Sequence, residues 1–152
     1  MSIGTPFESY EGKSRILLGP PGSGDGTCRH GYGPPVFEQC GRRCVYCGRN
    51  LFESYEALLD VSVDHVVPRS TAWYQGKKEY IEDLFNLATC CRACNEFLNQ
   101  YQCDVPEPAT VEEFAVLRDL VFQEKRQLAK DRHAKERLAF ISKTGCLTYP
   151  IK

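Results

Sequence analysis

A chain of 152 residues is long enough for one domain with an appendage and short for two full ones. Its 42% apolar and 26% charged residues are the balance of an ordinary soluble protein, and no apolar run has the length to span a bilayer, so membrane partners are set aside. A formal net charge of -1 and a pI near 6.3 argue against bulk positive charge as the means of holding nucleic acid, and leave only local basic patches for that purpose.

Residues 1–39 are rich in Gly and Pro, show no sustained periodicity, and read as an irregular arm. Within it, Gly19 to Thr27 follows the apolar run Ile16-Leu17-Leu18 and imitates a nucleotide-binding phosphate loop. Such a loop needs a lysine after Gly24 to reach the phosphates. The chain has Asp25 there, which repels them, and Gly31, Gly33, Pro34 and Pro35 interrupt any helix that should follow. Nucleotide binding is rejected on that mechanism.

From residue 40 to about 103 the cysteines set the pattern. The chain holds nine, an odd number, and two pairs have metal-ligand spacing, which disfavours a disulfide scaffold and points to a reducing, cytoplasmic setting. Cys44-Val45-Tyr46-Cys47-Gly48 and Cys91-Arg92-Ala93-Cys94 each offer two thiolates from a tight turn, and Gly48 suits the backbone reversal such a knuckle needs. Cys40 and Cys90 are competing ligands at three-residue spacing. The matched two-residue turns favour Cys44, Cys47, Cys91 and Cys94 as the ligands of one structural zinc.

Between the knuckles, Asp60 to Val66 alternates enough to predict a strand, stopped by Pro68. The preceding residues 51–59 fit either a partner strand or, over Tyr55 to Leu59, a helical turn. Residues 70–85 read as a long loop carrying Trp73, Tyr74 and Tyr80, and a helix is predicted from about Cys91 to Tyr101. Asp64-His65 lies in the strand, and Asn95 lies one residue past the fourth cysteine. A helix that turns Cys94 to zinc turns Asn95 away from it, toward Asp64 if helix and strand pack together. Adjacent strand residues face opposite sides, so Asp64 and His65 share one site only if the strand bends at its end.

Pro106 and Pro108 mark a linker, and Thr110-Val111-Glu112-Glu113 has the spacing of a capping box. A helix is predicted from about 111 to 141, amphipathic first and highly charged later. The basic run Lys125, Arg126, Lys130, Arg132, Lys135 and Arg137 reads equally as a solvated helix face or as a nucleic-acid patch.

Taken together, Cys44-Val45-Tyr46-Cys47-Gly48, Val63-Asp64-His65-Val66-Val67-Pro68-Arg69-Ser70, Asn86-Leu87 and Cys91-Arg92-Ala93-Cys94-Asn95 resemble the HNH endonucleases with cysteine knuckles. The resemblance covers roughly residues 40–100. It implies an α+β fold: a zinc-stabilised ββα-metal core over 40–103, preceded by the arm and followed by a linker and helical extension over 104–152. It implies cleavage of DNA to a 5′-phosphate and a 3′-hydroxyl. By motif position His65 is the general base, Asn86 its brace, and Asp64 and Asn95 the ligands of a catalytic Mg²⁺ or Mn²⁺. Arg69 is a candidate phosphate clamp. Leu98 stands where such proteins often carry a lysine, and Thr71 to Tyr74 replace the usual glycines; both departures touch substrate contacts more than chemistry. The alternative is a non-catalytic zinc module that binds nucleic acid or protein. In either case the 111–141 helix is an expected surface for a second copy or a protein partner.

Overall fold

The computed structural model describes residues 28, 29 and 31–144. The Gly19–Thr27 segment and most of the N-terminal arm lie outside those residues. The arm's last part is helical, where the Gly and Pro content predicted irregular chain. Helix α1 (Gly33–Gln39) starts with prolines in its first turn, where a missing N–H breaks no hydrogen bond. Gly33 is required there, because a Cβ would lie 1.6 Å from the carbonyl oxygen of Cys28. Val36 and Phe37 bury the inner face of this helix.

Gly41 and Arg42, both at positive φ, then turn the chain into the first knuckle. Gly48 closes that knuckle at φ 78° with its N–H on the carbonyl of Cys44 at 2.8 Å, the left-handed turn for which glycine is suited. The ambiguous stretch after it is helix α2 (Tyr55–Leu59), capped by Ser54, whose hydroxyl accepts from the Ala57 N–H at 3.0 Å.

Strand β1 (Val61–His65) pairs antiparallel with β2 (Leu87–Cys91), in a register running from Val61 opposite Cys91 to His65 opposite Leu87. The long predicted loop between them contains a 3-10 turn over Tyr74–Gly76, helix α3 (Lys78–Ile81) and a second 3-10 turn over Leu84–Asn86. Asn86 ties this excursion back. Its amide oxygen accepts from the Val67 N–H, and its amide nitrogen donates to the carbonyls of Val67 and Ile81, each at 2.9 Å. Its backbone carbonyl takes the Val66 N–H at 2.9 Å. All of this is fully buried, so each polar atom needs its partner.

Helix α4 (Arg92–Leu98) follows β2 directly and is capped by the Cys91 sulfur, which accepts from the Cys94 N–H at 3.4 Å. After the linker, helix α5 (Val111–Thr144) begins with Thr110 accepting from the Glu113 N–H while Glu113 reaches back to the Ala109 N–H. Its 34 residues extend about 51 Å at 1.5 Å per residue. The first half lies across the core. Phe114 is buried among Trp73, Tyr80 and Phe85, and Phe122 against Tyr46. Past Ala129 most of the helix is exposed, including Leu138 and Phe140.

Candidate active site and metal centre

The first cluster is built by two turns. The knuckle Cys44–Gly48 and the β2–α4 junction present the sulfurs of Cys44, Cys47, Cys91 and Cys94 to one point, all within 4.8 Å of one another. The Cys47 and Cys91 sulfurs are 3.8 Å apart. That is the edge of a tetrahedron whose centre lies about 2.3 Å from each sulfur, the zinc–thiolate length. Hydrogen bonding with Cys44 pulls the Cys47 thiol down to about 7, and hydrogen bonds from Cys44 and Cys47 push Cys91 far below the usual thiol range. The same contacts drive Cys44 and Cys94 up. Four sulfurs brought to one point are a donor set that fits a structural metal such as zinc.

The competing cysteines are turned elsewhere. Cys90 and Cys91 are neighbours on β2, so their side chains leave opposite faces of the strand. Cys90 is fully buried, and Cys40 accepts from the Thr89 N–H at 3.4 Å. On the α5 side of the cluster, His133 sets its Nε2 3.2 Å from the Cys94 sulfur and packs its ring edge-on against Phe97 at 4.9 Å. No local motif marked this histidine.

The second cluster lies on β1. The strand stays paired through His65, and the chain bends only afterwards, at Val66 to Pro68. Asp64 and His65, the last two residues of the strand, meet different partners. The Oδ2 of Asp64 accepts from the Tyr46 hydroxyl at 2.5 Å and from the Lys125 ammonium at 2.6 Å. The Tyr46 hydroxyl is held far above its usual range, first by burial and then by the Asp64 charge, so it remains a donor. Both hydrogen bonds fall on Oδ2, and among the described residues none falls on Oδ1. Asn95 is half-buried on α4, which packs against β1; among the described residues no hydrogen bond joins it to Asp64.

His65 sets its Nε2 3.2 Å from Oε2 of Glu82. Glu82 is 6% exposed and is gripped from three directions. Arg69 donates to both its oxygens, at 2.5 and 2.9 Å, and the Tyr74 hydroxyl donates to Oε1 at 2.9 Å. Burial alone would raise the Glu82 carboxyl. The hydrogen bonds from His65 and Arg69 outweigh it and hold the group far below the usual carboxylate range. Arg69, expected as a phosphate clamp, thus spends its guanidinium on Glu82 while half of its side chain stays exposed.

A buried carboxylate behind an imidazole, thiolates set for zinc and an Asn-stitched ββα unit now stand together. Residues 44–99 match the family model of the HNH endonucleases. The chain carries an HNH domain. That match supports a nuclease-type family for residues 44–99. Neither the curated proteins nor the solved structures contain a match to the chain. The residues that motif reading missed, Tyr46, Glu82, Lys125 and His133, surround the matched positions. For Lys125 a signal existed. It continues the spacing of Arg118, Val121 and Phe122 on the buried face of α5, so the basic run starts on the apolar side of the helix.

Proposed function

We propose that the protein is an endonuclease that hydrolyses DNA phosphodiesters to a 5′-phosphate and a 3′-hydroxyl, with His65 as general base. The observation that carries this reading is the seating of His65 against the ionised, buried Glu82 inside the HNH match. With Nε2–H donating to Glu82, Nδ1 is left as the acceptor that takes a proton from an attacking water. Glu82 fixes that tautomer and favours the imidazolium that forms, as a carboxylate does behind a catalytic histidine. Arg69 and Tyr74 keep Glu82 charged and in place. Asn86 holds the bend next to His65 through the Val66 and Val67 backbone.

The open Oδ1 of Asp64 and the amide oxygen of Asn95 make a sparse, hard donor pair suited to Mg²⁺ or Mn²⁺, with water and a phosphate oxygen as further ligands. Such an ion, when bound, stabilises the charge that grows on the phosphate and on the departing oxygen. The zinc of the cysteine cluster has a structural role, holding α4 and the knuckle on the sheet. A reducing, intracellular compartment suits four free thiolates.

The second reading, a non-catalytic zinc module, draws on one observation. The Asp64 carboxylate is already neutralised by a buried ammonium, so the polar site is charge-balanced on its own. Plasmid nicking in Mn²⁺ decides between them. His65→Ala should cut about 100- to 10,000-fold more slowly than the native protein at unchanged zinc content, and Asn95→Ala should behave alike. Equal residual cleavage by the native and His65→Ala proteins would sink the enzyme.

A further inference from the structure

Lys125 comes from α5, outside the matched domain, and reaches into the β1 site. It is 1% exposed. Its ammonium has three protons and three acceptors: Asp64 Oδ2 at 2.6 Å, the His65 carbonyl at 3.0 Å and the Val66 carbonyl at 3.1 Å. The rings of Tyr46 and Tyr101 flank it, with centroids 5.8 and 5.7 Å from Nζ. A buried charge satisfied at every donor is fixed in position, and it serves here as the resident counter-ion of Asp64.

We propose that Lys125 is a positioning residue that makes divalent-ion binding at Asp64 conditional on a bound phosphodiester. This rests on the reading of Asp64 and Asn95 as the ion's ligands. Affinity of a hard-cation site follows its count of negative ligands. This site offers one carboxylate, already matched by one ammonium, plus a neutral amide. An ion arriving alone meets no net negative charge, and it meets a fixed ammonium on the far oxygen of the same carboxylate. A phosphodiester supplies the missing anion. By linkage, the ion and the nucleic acid then raise each other's affinity by the same factor. The two carbonyl contacts add a second effect, because they hold the bend that follows His65. The C-terminal helix is in this sense a part of the active site.

The test is Mn²⁺ binding followed by electron paramagnetic resonance on the zinc-loaded full chain carrying His65→Ala, with and without a short DNA duplex. The expected result is Mn²⁺ binding about tenfold or more tighter with duplex than without it, on the scale of one like-charge repulsion at close range. Adding Lys125→Met should tighten Mn²⁺ binding without duplex by about tenfold and shrink the effect of DNA, at unchanged zinc content. A purely structural lysine would leave Mn²⁺ binding the same or weaker after substitution, and that outcome overturns the proposal. Should Lys125→Met fail to keep zinc, the parent protein decides: a duplex effect below about twofold overturns it. Mn²⁺ binding that survives Asp64→Asn overturns the ligand reading itself and is distinct from both.

Discussion

The sulfur cluster and the β1 site are both polar constellations on the same small sheet, but they are assembled at different ranges. Each half of the sulfur cluster is a local turn, and each turn carries its own instructions in the residues that follow the cysteines: Gly48 at positive φ, and Arg92 onward as a helix capped by Cys91. The β1 site has no such autonomy. Asp64 depends on Tyr46 from the knuckle and Lys125 from α5, and His65 depends on Glu82, Arg69 and Tyr74 from the excursion between the strands. Metal chemistry that needs only spacing can be written locally. Chemistry that needs a charge held in a dry place needs the rest of the fold around it.

The strongest way to break the comparison is at the sulfur cluster. Cys91→Ser removes one ligand, one helix cap and the link between the sheet and α4. Structural zinc contributes about 10–16 kcal/mol in small domains, comparable to or larger than the whole stability of most domains. The variant should therefore lose zinc and cooperative melting together, measured by metal analysis and calorimetry. Retention of both by Cys91→Ser would mean that the ligand set is wrong.

Asn86→Ala probes the support of the β1 site. It strands the Val67 N–H and two carbonyls in a fully buried position, so it should cost about 2–4 kcal/mol in urea unfolding. Zinc content should stay at the native level, because the sulfurs do not touch this residue. Zinc loss in step with stability would show that the two clusters are one cooperative unit.

Glu82→Gln should have the smallest effect on stability, about 1–2 kcal/mol at neutral pH, since it removes one charge from a pair whose arginine can return to water. Its signature is pH dependence. The Glu82 carboxyl is lowered in the folded state from an ordinary value of 4.5. Its stabilisation is present above that value and disappears as pH falls through the lower folded one. The advantage of the native protein over Glu82→Gln should begin to shrink at about pH 4.5 and decline progressively below it. A constant difference across that window, in melts taken at stepped pH, would remove Glu82 as an ionised partner.

Chain patterns alone specified the two knuckles, the strand through Asp64, the capping box at Thr110 and the long helix, because each is a local motif whose residue types suffice for its geometry. They left open whether residues 51–59 form a strand or a helix, and Ser54 with its Ala57 N–H partner shows a helix. They favoured Cys44, Cys47, Cys91 and Cys94 over Cys40 and Cys90 by turn spacing, and the folded chain brings those four sulfurs together. Where the basic run of α5 points, which carboxylate stands behind His65 and what Arg69 holds were decided only by tertiary structure. A lysine on a charged helix reads as solvated until packing closes over it, and Glu82 reads as a loop acid until His65, Arg69 and Tyr74 converge on it. Burial changes what a charge does, and burial belongs to the folded chain as a whole.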